Sequence, residues 1–218
     1  GHGSVPLKSN AVLHLSRAVA AAATWQPPIN LNETTAAYFK RLASISSEAD
    51  ARRYRDILSP DPKVSGPAME HFLDEEPQHA SMLHTSISPT MVDAGYRVNV
   101  IPSEVKATLD VRMMPDEEPE AFLARIREVV NDPAVEVGWA PRDTRPSGTS
   151  RLATDAFRVV ESMVQKHYDA ITLPTMSTGA TDMAYLRAKG VQCYGVGPAI
   201  DIEDGPKGFG AHSDQERI

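Results

Sequence analysis

Seven histidines are the side chains of this 218-residue sequence best suited to metal or acid–base work, and two of them stand in chemically suggestive surroundings. His212 lies in Gly208-Phe209-Gly210-Ala211-His212-Ser213-Asp214-Gln215-Glu216, a small-residue run leading into the capped, acidic start of a helix. The run follows an expected parallel strand, which is where α/β sheets place ligands. A neutral imidazole there can hold a divalent metal while Glu216, one helical turn on, accepts the proton of its other ring nitrogen. His2 is framed by Gly1, Gly3 and Ser4, so the backbone can approach a ligand closely and the ring can project. Arg112 shares a predicted strand face with Asp110 and Thr108. It is either a surface, salt-bridging arginine or a guanidinium fork for a substrate carboxylate, with the Asn99 amide donating nearby. His14, His79, His84 and His167 have no partner pattern, and His71 beside Asp74-Glu75-Glu76 lacks a second histidine at helical spacing.

Other chemistries find no support. No G-x-S-x-G elbow occurs, and Cys193 sits in the apolar run Val191-Gln192-Cys193-Tyr194, where a buried inert thiol is expected. Neither G-x-x-x-x-G-K-[ST] nor G-x-G-x-x-G is present, so nucleotide binding is not indicated. Lys plus Arg number 22 against 29 Asp plus Glu, a net charge of −7, and no basic cluster tracks a phosphate backbone. Nucleic acid is therefore not an expected partner. Nor is a membrane, since no stretch approaches the roughly 20 apolar residues of a span. One cysteine excludes a disulfide-stapled scaffold. It points to the cytoplasm, while a larger secreted or periplasmic enzyme without disulfides also fits. The chain opens on Gly-His-Gly-Ser and stops inside an apparent helix start, so truncation at both ends is the expectation.

With 41% hydrophobic and 23% charged residues, the chain can fold as one large or two modest domains. Apolar residues at helical spacing predict a helix from Asn10 to Thr24, stopped by Pro27-Pro28. Asn32 and Ser46-Ser47 open two more, and Gly66-Pro67 a short fourth around Met69 to Leu73. From Ser81 the period becomes two, predicting a strand up to Pro89. Asp93-Ala94-Gly95 turns into a second strand, Val98 to Met113, which Pro102 should bulge or break. Pro115 to Pro119 opens a helix through Val129-Val130, and Val135 to Trp139 reads as a strand. Beyond the Pro/Gly/Ser/Thr-rich stretch from Ala140 to Ser150, helix (Leu152 to Tyr168), strand (Ile171 to Pro174), helix (Asp182 to Lys189) and strand (Val191 to Val196) alternate as in a parallel α/β layer.

Gly1-His2-Gly3-Ser4-Val5-Pro6, Asn99-Val100-Ile101-Pro102 with Asp110-Val111-Arg112, Ser177-Thr178-Gly179-Ala180-Thr181-Asp182, Tyr194-Gly195-x-Gly197-Pro198 and Ala211-His212-Ser213-x-x-Glu216 follow one another in order. In that order the chain resembles the M20 family of dinuclear zinc peptidases and aminoacylases, nearly end to end. The helical insertion and the Pro89-Thr90-Met91 region look most like the branch of carboxypeptidase S and N-acyl amino acid hydrolases. The resemblance implies an α/β protein: an α+β lid or dimerisation domain over 1–141, with a four-stranded antiparallel sheet, two helices and an insertion at about 30–76. Residues 142–218 would then be the closing part of a catalytic α/β domain.

That resemblance also implies roles. His212 is similar to the last ligand of the second of two zinc ions, with Glu216 behind it, and His2 to the lid histidine that reaches the partner subunit's site to polarise the scissile carbonyl. Asn99 and Arg112 match lid positions that bind substrate, Arg112 holding its free carboxylate. Gly179, Ala180 and Thr181 match a loop lining the substrate pocket. The implied whole is a homodimeric, zinc-dependent hydrolase of peptide or N-acyl amino acid substrates. The metal half of such an enzyme has no counterpart in this sequence, so the chain by itself should be inactive. Two alternatives stand beside this: a non-enzymatic homodimerisation or ligand-binding module, and an α+β protein whose motifs serve packing.

Overall fold

The computed structural model describes residues 1–140, 146–177, 179 and 181–196. Helix α1, Ala11–Thr24, begins where Asn10 accepts a hydrogen bond from the Val12 N–H. It packs on strands β1, Ser86–Ala94, and β2, Val105–Arg112, and on the helix Pro119–Val130 that crosses the same face. Between them lie Ala18, Ala22, Phe122, Leu123 and Ile126, all buried. Trp25 closes one end against Phe122, ring centroids 5.8 Å apart. His14 ties the layer together by a 2.6 Å contact from Nδ1 to Asp132, and this bond, with the Ala134 N–H, holds the Asp132 carboxyl below its usual range.

The two strands run antiparallel from Ser86 opposite Arg112 to Ala94 opposite Val105, with an irregularity between Pro89 and Met91. Pro89 is tolerated there because β1 is an edge strand. Gly95, at φ +72°, supplies the left-handed turn that ends β1. Pro102 does break the second predicted strand. Its first part, Asn99 to Ile101, pairs instead with the chain's opening residues: Gly3 N–H donates to Asn99 O at 2.8 Å and Ile101 N–H to Gly1 O at 2.8 Å.

Between these pieces sits a helical unit with its own core. Helices α2, Glu33–Ala43, α3, Glu48–Asp56, α4, Pro62–Glu75, and α5, Pro77–Ser81, surround Phe39, Tyr54, Ile57, Met69, Phe72 and Leu83. Asn32 caps α2 through the Thr35 N–H and Ser47 caps α3 through the Asp50 N–H. Helix α4 starts earlier than Gly66-Pro67, because Asp61 caps it and Pro62 takes the first position, where a missing N–H costs nothing. Pro67 lies inside the helix, and burial of Ala68, Met69 and Phe72 offsets the bond it cannot make.

Phe39 is fully buried and stacks on Phe72 at 5.5 Å and 12°. His79 sits among Tyr38, Phe39, Tyr54 and Phe72, its Nε2 3.0 Å from the Tyr38 hydroxyl and its Nδ1 bonded to Glu76. Glu76 also accepts from Tyr54 at 3.1 Å. Burial, then this bond and the Glu76 charge, push the Tyr54 hydroxyl up to about 12. Phe39→Ala opens a cavity at the centre of this unit and is expected to cost about 3–5 kcal/mol. Urea unfolding followed by tyrosine fluorescence would show it as a lower midpoint.

Helix α6, Pro119–Val130, ends at Asn131 in the left-handed conformation. After it come α7, Asp155–Tyr168, and α8, Met183–Arg187. The chain is thus a mixed α/β protein, but the sheet of the described residues has two strands where the resemblance implies four. Val135 to Trp139, Ile171 to Pro174 and Val191 to Val196 find no ladder partner among the described residues. A strand needs a neighbour to accept its hydrogen bonds. The alternation predicted from Ser81 becomes a strand only at Ser86, where β1 begins: Met82, Leu83, His84 and Thr85 are all buried, so both sides of that segment enter the core. Cys193 is half-buried, not sealed in a strand, and Ser150 Oγ accepts from its N–H at 2.9 Å.

Candidate functional site

The sequence-predicted residues fall into two groups. The first is built by the pairing of 1–3 with 99–101, which places His2 opposite Val100. This brings Asn99 Nδ2 to 3.4 Å from His2 Nε2. Ser4, quoted in the sequence only as a small framing residue, turns out to orient the ring. Its backbone N–H donates to His2 Nδ1 at 3.2 Å, and its hydroxyl lies 2.7 Å from the same nitrogen. A backbone N–H can only donate, so Nδ1 accepts, and the neutral ring carries its proton on Nε2. Nε2–H and the Asn99 side-chain amide then stand 3.4 Å apart. Both residues are exposed. N–H groups held side by side by a backbone pairing can serve a carbonyl oxygen that gathers negative charge.

The second group is Arg112, Gly179 and Thr181, which line one open cleft of about 2710 Å³ between the β2 layer and the segment after residue 146. Arg112 ends β2 on the face it shares with Asp110, and its Nη2 donates to Asp110 Oδ2 at 2.8 Å. The pair is partly exposed, and Nε and Nη1 of the guanidinium make no hydrogen bond among the described residues. Gly179 N–H donates to Ser177 Oγ at 3.0 Å, and Thr181 Oγ1 accepts from the Met183 N–H at 3.0 Å as the chain enters α8. Ligand sites usually enclose about 300–1,000 Å³. This cleft is far wider than that and open to solvent.

Ala180, His212 and Glu216 lie outside the described residues. Among those described, no three His, Cys, Asp or Glu side chains gather to hold a metal ion. His71 and His79, which lacked obvious partners in the sequence, both contact Glu76 in the helical unit, away from either group.

Residues 1–138 match the family model described as the peptidase dimerisation domain of M20 proteins. The chain belongs to the M20 family. Among curated relatives it is 25% identical over 183 residues to "Probable carboxypeptidase S-like 2" of Dictyostelium discoideum, covering 84% of this chain and 34% of that protein. It is 28% identical over 116 residues to "Aminoacylase-1A" of Rattus norvegicus, 52% of this chain and 28% of that one. It is 25% identical over 189 residues to the human "N-fatty-acyl-amino acid synthase/hydrolase PM20D1", 85% of this chain and 37% of that one. The M20 chain therefore spans about a third of the length of these relatives. No solved structure matches it. No helix among the described residues is long and apolar enough to cross a membrane.

Proposed function

We propose that this M20 chain forms the lid and the closing segment of a zinc-dependent hydrolase that cleaves the amide bond of a peptide or N-acyl amino acid with a free carboxylate. Residues 1–141 are the lid, with the insertion at about 30–76, and 142–218 belong to the catalytic α/β domain. The observation that carries this reading is the pair of donors at His2 and Asn99. Neither residue is among those that line the cleft holding Arg112, Gly179 and Thr181. Donors outside a chain's own cleft can serve a second copy, and a dimerisation domain supplies that copy.

In the dimer, His2 Nε2–H of one protomer donates to the scissile carbonyl oxygen bound by the other, and the strengthening of that bond as charge develops lowers the barrier. Ser4 keeps the proton on Nε2 throughout. Asn99 donates beside it, and Arg112 holds the substrate carboxylate so that the amide is presented in one orientation. Gly179, Ala180 and Thr181 line the substrate pocket. Zinc bound at full occupancy would supply an activated water. The described residues do not form its site, and of this chain only His212, backed by Glu216, is assigned to it.

Elemental mass spectrometry tests the division of labour. The 218-residue chain alone is expected to carry well under one zinc and to hydrolyse nothing, whereas the complete enzyme carries about two per subunit. A full complement on the chain alone would overturn the assignment of the remaining ligands to other residues. Light scattering on the same samples is expected to give a dimer. A dimer that never hydrolyses an amide, even when complete and zinc-loaded, would favour the module without catalysis.

A further inference from the structure

Among the described residues, Asn32 at the N-cap of α2 and Arg41 near the end of that helix hydrogen-bond to the closing segment. At the start of α2, Asn32 Nδ2 donates to Met176 Sδ at 3.1 Å, while Asn32 Oδ1 stays engaged as the helix cap. Near its end, Arg41 Nη1 donates to Glu161 Oε1 at 2.6 Å and to the Thr172 carbonyl at 2.8 Å. The Arg41 guanidinium also lies 5.9 Å from the centre of the Phe157 ring. Phe157 in turn packs on Tyr194 at 5.6 Å.

The two anchors match in length. Asn32 to Arg41 is nine helical steps, roughly 13 Å at about 1.5 Å each. Thr172 to Met176 is four extended steps, also roughly 13 Å at about 3.3 Å each. The segment 172–176 is thus held to α2 at both ends, Met176 at the start of the helix and Thr172 near its end, with Met176 buried at 8% exposure. Gly179 and Thr181 follow within a few residues of the Met176 anchor. A short tether of fixed length leaves them little freedom to shift along the cleft.

We infer that α2 of the insertion is the positioning element of the substrate pocket: Arg41 and Asn32 set where Gly179 and Thr181 stand, and so select which acyl or side-chain group fits beside them. This rests on the pocket role proposed above for those residues. Arg41 and Asn32 are positioning residues, since neither lines the cleft itself. The insertion then contributes to specificity through a backbone it holds and not through contact with substrate.

The test uses the complete enzyme with two substitutions. Arg41→Met removes the charged donor. Asn32→Ser keeps an N-cap for α2 but has no amide to reach Met176. Hydrogen exchange of peptides spanning 172–181, and KM and kcat over N-acyl amino acids of increasing acyl length, are read together. Expected for both variants are faster exchange confined to that stretch and a KM raised roughly tenfold for the best substrate, with kcat within about twofold. Arg41→Lys, which keeps the charge, recovers part of the loss. Unchanged exchange would overturn the clamp, and faster exchange with an unchanged order of substrates would overturn its part in specificity. If the unsubstituted enzyme hydrolyses no amide, the hydrolase reading fails and specificity with it, while the exchange data still judge the clamp.

Discussion

His2→Ala in the complete enzyme lowers kcat about 10²- to 10³-fold, the usual cost of removing one preorganised donor to a developing oxyanion. KM changes little, because the bond strengthens mainly in the transition state. The dimer stays intact: the ring is exposed, and the pairing of residues 1–3 with 99–101 uses backbone groups that alanine retains. His2→Gln keeps a donor and should recover part of the loss. Ser4→Ala removes only the hydroxyl from Nδ1, leaving the N–H that fixes the tautomer, and is expected to cost much less. Mixing His2→Ala subunits with subunits inactivated in the catalytic half tests the route between protomers. Activity returns only if His2 of one subunit serves the other's site. Unchanged turnover in His2→Ala with folding and dimerisation intact would sink the catalytic reading and leave the dimerisation module standing.

The helices were the most legible part of this chain, for a local reason. Asn10, Asn32, Ser47 and Thr154 each satisfy an N–H of the turn they open, and a cap is a property of a few adjacent residues. Misplaced helix starts show the same rule: Asp61-Pro62 outweighs Gly66-Pro67 as an opening, and the Thr154 cap starts α7 at Asp155 and not at the predicted Leu152. Strands were less legible, since alternation reports a face and not a partner. Met82 to Thr85 alternates yet is buried throughout, and Val135 to Trp139 reads as a strand but pairs with nothing described.

At the site, residue types in sequence indicated His2, Asn99 and Arg112, but nothing in one dimension could say that Asn99 meets His2 while Arg112 faces another cleft. Ser4 was visible two positions from His2, a spacing that suits a side chain turning back on its own loop. Arg41 carried no signal and Asn32 only that of a helix cap, because their partners in the closing segment stand more than a hundred residues along the chain.

Arg112→Met raises KM for carboxylate substrates roughly 100-fold, since hydrogen bonds to a charged group contribute about 1.5–3 kcal/mol and a two-pronged grip lies at the upper end. The effect belongs to the substrate's charge. A substrate whose carboxylate is capped as an amide should bind the variant and the unsubstituted enzyme about equally, which separates lost recognition from a damaged lid. Asp110 sharpens the test, because it already draws Arg112 Nη2 at 2.8 Å. As an orienting partner it would hold the fork toward the cleft, and Asp110→Asn would then weaken binding. As a competitor it would occupy the fork, and the same change would tighten binding. Orientation is the expected outcome: the pair sits at alternate positions of one strand, and among the described residues Asp110 engages only Nη2 of the guanidinium. Equal loss for capped and uncapped substrates in Arg112→Met would leave Arg112 as a packing residue, and the carboxylate would need another holder in the cleft.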